Sequence, residues 1–160
     1  MSNSSVIDLS KLPTPKVIEE LDYEVLFQEY LSDFTARDEE YDGLLESDPA
    51  IIILEVMAYR EMLVRKRINE SAKATLLAFA KGSDLDHILA EYGVPRLDGE
   101  DDDRFRMRGQ MALDGFSTAG PIDAYKFFAL SASVKVKSVD VRSDEPGKVI
   151  VTILSTEGDG

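Results

Sequence analysis

The sequence predicts an α+β fold: a mostly helical N-terminal part followed by the first strands of a truncated β-containing domain. Three observations carry this expectation. Apolar residues recur at three- and four-residue spacings as far as Leu130, and from Val134 the period changes to two. Asp48-Pro49, Ser83-Asp84 and Gly120-Pro121 are helix-start signals. Glu145-Pro146-Gly147-Lys148 reads as a turn between two strands. The expected organisation is an arm over 1–15, a helical domain over 16–132 and a β region over 133–160.

The arm ends in Pro13 and Pro15, which disfavour helix in the residues before them. Val17, Ile18, Leu21, Val25 and Leu26 then predict a helix over 16–31, and the acidic stretch 32–45 with Gly43 reads as a connector. Asp48 caps the next helix, with Pro49 at the first helical position, where its missing N–H costs nothing. This pattern has no stop before Gly82, so either one long helix or two consecutive ones fit, with 69–71 as the weak point. Its first half, 50–59, is apolar at every position except Glu55, which predicts burial on more than one side: either the helix is central or part of it waits for a partner. The later part, with Arg60, Arg65, Lys66 and Arg67, reads as a solvated face.

Ser83 is the expected cap of a helix whose stripe is Leu85, Ile88, Leu89 and Tyr92, closed by Gly93. The acidic run 98–103 leads into a helix expected over 102–113, ended by Gly115. Gly120-Pro121 opens another through Tyr125, Phe128 and Leu130. Val134, Val136, Val139 and Val141 form one strand and 149–154 a second. A two-stranded ribbon is marginal alone, so the β region is expected to continue in a longer protein.

Composition removes several function classes. The 160 residues include 31 acidic and 18 basic side chains, a formal charge of −13. Such a chain repels phosphate backbones and anionic lipid, so neither nucleic acid nor membrane is an expected partner. No cysteine is present, which removes disulfides, thiolate metal sites and thiol nucleophiles. His87 is the single histidine, so HExxH and multi-histidine metal sites are impossible.

The remaining candidates read as structural. Glu19-Glu20 and Asp38-Glu39-Glu40 sit in charged runs and not in an evident cleft. Asp38, Glu40, Asp42 and Gly43 begin like an EF-hand loop, but Pro49 occupies its twelfth position. Asp98, Glu100 and Asp102 fail likewise, with Asp103 where glycine is required and Gly109 at the twelfth position. Arg104, Arg106 and Arg108 do not share one helix face and, beside Asp101, Asp102 and Asp103, are expected to make local ion pairs and not to grip phosphate. Ser117 and Ser131 have no nucleophile elbow, and His87 reads as a surface or packing residue. No catalytic, cofactor-binding or metal-binding residue is nominated, and no cofactor is expected.

Order and spacing of short blocks add a resemblance. Within 46–96 these are Asp48-Pro49, Ala58-Tyr59-Arg60-Glu61, Ile68-Asn69-Glu70, Ala80-x-Gly82, Leu85-Asp86 and Gly93-Val94-Pro95-Arg96. Downstream come Asp103-Arg104-Phe105-Arg106-Met107-Arg108, then Ser117-x-Ala119-Gly120 with Ala124-Tyr125. Upstream are Val6-Ile7-Asp8-Leu9, Leu12-Pro13-x-Pro15 and Glu19-Glu20-Leu21-Asp22. Together they resemble the baseplate J protein family of contractile-tailed phages and related prophages. The linker 98–103 is a departure, being shorter than the family's. The resemblance implies a non-enzymatic subunit of a tail baseplate wedge, made in the bacterial cytoplasm and carried in the virion tail. Its implied partners are other wedge proteins and neighbouring copies, six around the hub. This chain alone is expected to be a monomer or weak dimer. Two rival readings are a non-phage helical adaptor and a tail-associated hydrolase. The second needs a defined acid in a cleft, and none stands out.

Overall fold

A computed structural model describes residues 6–38, 40–42, 45–117 and 120–158. Among these, six α-helices precede a two-stranded antiparallel sheet, the α+β order expected from the change of period. The chain forms two compact units, one within 14–73 and the other built from 74 onward with the segment before Thr14.

In the first unit, α1 spans Tyr23–Arg37, later than the expected 16–31. Asp22 decides where it starts. Its backbone is extended, and its carboxylate accepts from the N–H groups of Glu24 (2.8 Å) and Val25 (3.3 Å), two of the donors a helix start leaves orphaned. The helix runs on through residues expected to be connector, to Arg37 in its last turn. Gly43 and Glu39 of the expected connector lie outside the described residues.

One unbroken helix, α2, spans Pro49–Ala74. Its 26 residues reach about 39 Å at ~1.5 Å per residue. Asp48 caps it as expected, accepting from the Ala50 N–H at 2.8 Å. Asn69, read from sequence as a weak point, is buried and grips non-helical chain. Its amide donates to the Glu19 carbonyl (2.8 Å), and its oxygen accepts from the Glu19 N–H (3.0 Å). A side chain that satisfies both backbone groups of another segment is worth a helix-neutral residue at that position. Of the apolar stretch 50–59, Ile51, Leu54 and Ala58 are buried, while Ile52, Ile53, Val56, Met57 and Tyr59 stay exposed.

In the second unit, α3 covers Ser83–Ala90, α4 Asp102–Gln110, α5 Ala112–Gly115 and α6 Ile122–Ala132. Gly82, at φ 52°, takes the N-cap position expected for Ser83. The single helix expected over 102–113 is divided at Met111. There the N–H bonds back three residues to Arg108 (3.2 Å), and the side chain anchors a core cluster with Leu130 and Val136. The other cluster joins Leu85 and Leu89 of α3, Val94, Phe105 of α4 and Ala112. Val6 packs against the first of these clusters, and the Ile7 N–H donates to Gln110 Oε1 (2.9 Å).

Gly109 is where α3 and α4 meet most closely. A Cβ built there would lie 2.4 Å from a Leu89 methyl, and Leu89 is fully buried. Gly109→Ala should therefore cost about 1–3 kcal/mol through overpacking, despite alanine's better helix propensity. Urea unfolding checks it: an unchanged or higher midpoint would refute this packing.

Strands β1 (Val136–Glu145) and β2 (Lys148–Ser155) pair with Val139 opposite Ile153 and Val141 opposite Val151. Gly147 turns the chain at φ 80°. Val136 and Val141 are buried, whereas β2 is exposed along its whole length.

Candidate functional site

Four arginines concentrate the polar chemistry of the second unit. Phe105 fills the core below them; Arg104 and Arg108, four residues apart on α4, share a face and meet the same Glu100 carboxylate, while Arg106 leaves on another side. Arg108 is 1% exposed and donates through Nε (3.0 Å) and Nη2 (2.7 Å) to the two oxygens of the Glu100 carboxylate. Its remaining N–H groups reach the Pro95 carbonyl (2.7 Å) and Ser131 Oγ (3.2 Å). Arg104 also pairs with Glu100, and its Nη2 closes the end of α6 on the carbonyls of Leu130 (2.7 Å) and Ser133 (2.8 Å). Arg106 holds the turn after α2 through the carbonyls of Leu77 and Ala80, both at 2.7 Å. Arg96 lies 4.5 Å over the Phe105 ring and pairs with Asp86 (2.6 Å) and Asp102 (2.8 Å).

The three arginines of α4 make local ion pairs, as expected, with Glu100 as the main partner. Of the three arginines on α4, Arg106 alone pairs with a carboxylate of the run 101–103, namely Asp103 at 2.7 Å. Asp101 caps α4, accepting from the Arg104 N–H, and Asp102 accepts from the Gly82 N–H. Glu100 is the residue that sequence reasoning missed as a partner. Its spacing to Arg104 and Arg108, four and eight residues on, was the available signal. Its complete burial was invisible because it precedes the helix.

Burial pushes the Glu100 carboxyl up. The Arg108 hydrogen bond, the Leu97 N–H and the charges of Arg108 and Arg104 outweigh it, leaving the group below the usual glutamate value. The Gly82 N–H foremost, against some burial and with Arg96, holds Asp102 low as well. Apart from the buried Arg104 Nε, the arginine donors go to carbonyls, carboxylates and the Ser131 hydroxyl of this chain, which describes a clamp and not a phosphate grip.

The other candidates stay apart. His87 is exposed on α3, and Ser131 is occupied by Arg108. Glu19 faces Arg65 at 3.4 Å. Glu100 and Asp102 of the second calcium-like pattern are engaged by arginines, and Gly43 of the first lies outside the described residues. Among the described residues, no group of three or more acidic or histidine side chains is placed to hold a metal ion, and no helix is long and apolar enough to cross a membrane.

The first unit has a concavity of about 300 Å³ between α1 and α2, lined by Tyr23, Phe27, Leu31 and Ile51 with Glu24, Glu46 and Glu55, and an exposed apolar helix face. Leu26 of α1 is buried, and the Tyr30 hydroxyl reaches from α1 to Glu61 of α2, which is also held by Arg65 at 2.5 Å. The opposite side of α2 exposes Ile53, Val56, Met57, Leu63, Val64 and Ile68, each 37–59% open. At 3.6 residues per turn these six fall within an arc of about 140°, with Arg60 and Arg67 near its centre. Apolar surface of that extent, rimmed or studded by polar groups, marks an interaction site on a soluble protein.

Residues 46–101 match the family described as the baseplate J-like N-terminal domain. Through this stretch the chain is similar to the baseplate J-like family. Baseplate protein J of Escherichia phage P2 is 36% identical over 177 aligned positions, covering 97% of this chain. The chain spans 59% of that relative's length. The matched segment runs from the turn before α2 to the N-cap of α4, so the baseplate J-like signature includes the apolar face of α2 and the Arg96, Glu100 and Asp86 part of the clamp.

Proposed function

We propose that this baseplate J-like protein is a structural subunit of a phage or prophage tail baseplate, acting by protein–protein assembly and not by catalysis. The observation that carries this reading is the similarity to the P2 baseplate protein along almost the whole chain. The molecule's chemistry agrees with it. Buried charges tie segments of the chain together, and α2 exposes an apolar face. Within the baseplate, the subunit is a wedge component that meets other wedge proteins and neighbouring copies, six around the hub. It is made in the bacterial cytoplasm and ends in the virion tail. The hairpin Val136–Ser155 is the first part of a β-containing domain that follows the helical one.

Deleting the gene from its phage or prophage and inducing particle production tests the reading. Electron microscopy should show no complete attached tails, and supplying the gene in trans should restore them. Complete, infectious tails without the gene would overturn it.

A further inference from the structure

We infer that the exposed face of α2 docks on the outer face of α1 of a second copy of this chain, in a head-to-tail contact. The inference rests on the assembly reading and adds which surfaces meet.

The α2 face sets the requirement. Arg60 and Arg67 stand on its centre line, about 10 Å apart along the axis, among six exposed apolar side chains. Pairing this face with itself would bring like charges together in the middle of a desolvated patch, which is unfavourable. Its occupant must offer apolar contact and carboxylates in one strip.

The outer face of α1 supplies the carboxylates around one exposed apolar side chain, Val25. Val25, 55% exposed, lies with Gln28 and Ser32 along one line, flanked by Glu24, Glu29 and Asp33, and these six line one open surface. Its acids span about 13 Å along the helix from Glu24 to Asp33, enough to bracket the two guanidiniums. The chain's net charge of −13 would oppose self-association at long range. Screening over about 8–10 Å at ordinary ionic strength leaves local complementarity to decide.

Geometry then gives the mode. The inner sides of α1 and α2 face each other, as the Tyr30–Glu61 bond shows, so their outer faces point to opposite sides of the same unit. Each copy thus carries both halves of the contact. Such a heterologous interface adds copies in series and closes into a ring when the rotation permits.

The absence of native cysteine allows a clean test on the full chain. Single cysteines are placed at Ile53, Val56 or Val64 on α2 and, in separate proteins, at Val25, Gln28 or Ser32 on α1. Mixed pairs are oxidised and run on a non-reducing gel. Disulfide-linked heterodimers should appear for α1–α2 mixtures. Adding R60E/R67E to the α2 partner should reduce them at least roughly tenfold, because two central pairs are lost and like charges take their place. E29R/D33R on the α1 partner should do the same, and circular dichroism of both charge variants should match the parent.

Crosslinks confined to α2–α2 mixtures, or none in any mixture, would overturn the inference, as would crosslinks indifferent to the charge changes. Retention of R60E/R67E in purified tails, together with absent crosslinks, would remove this interface while leaving the baseplate reading in place.

Discussion

Leu54→Asp should abolish soluble, folded protein. Leu54 is 8% exposed on the inner side of α2, between Ile51 and Ala58, which are buried too. Removing its apolar bulk costs about 2–5 kcal/mol, and a buried carboxylate without a partner adds several more unless it takes up a proton. Domains are stable by only about 5–15 kcal/mol in total, so little folded population should remain. Ile53→Asp is the control. One residue along, Ile53 is 59% exposed, and its substitution should shift the melting temperature by no more than a few degrees. Circular dichroism melts of both variants measure this. A cooperative wild-type transition in Leu54→Asp would show that the inner face of α2 is not a core.

Glu100→Gln is expected to have the next largest effect. It leaves the 1%-exposed Arg108 with a neutral amide where a two-point carboxylate stood and removes the partner of Arg104. Breaking a buried pair from one side costs about 3–5 kcal/mol. Replacing both members with E100M/R108M should recover part of that loss, because the uncompensated charge leaves as well. Recovery should stay partial, since Arg108 also serves Pro95 and Ser131.

The same pair has a pH signature. Glu100 and Asp102 have folded values below their unfolded ones, so their contribution is fully present above about pH 4–4.5 and is lost as pH falls through the depressed folded values. Wild-type unfolding free energy should therefore decline below about pH 4.5, and Glu100→Gln should flatten that limb. A parallel acid limb in the variant would place the dominant acid-sensitive group elsewhere.

Much of this was legible in the residues. The period change at Val134, the Pro146-Gly147 turn and the Asp48-Pro49 start each act within a few residues of chain, and each stands where local chemistry puts it. Misplacements arose where a distant contact overrode local pattern. Val17, Ile18 and Leu21 have helical spacing, yet Asn69, fifty residues from Glu19, holds that segment by its backbone, and Asp22 starts the helix later. Met111 breaks the helix expected over 102–113 because its side chain belongs to a cluster with Leu130 and Val136.

Candidate surfaces divide the same way. All-round apolarity over 50–59 signalled two-sided use, but only the fold shows that the inner side packs while Ile53, Val56 and Met57 remain open. Charge counting could not separate Glu100 from its acidic neighbours. Burial, with Arg104, Arg108 and the Leu97 N–H closing on its carboxylate, does.

The central claim, a structural place in the tail baseplate, is tested most directly by finding the protein in the particle. Purified tails can be digested for quantitative mass spectrometry and decorated with antibody for electron microscopy. The account predicts a constant ratio of this chain to tail tube protein from one preparation to the next, with label confined to the baseplate end. Intact, sheathed tails that lack the chain while the producing cells contain it would contradict the account.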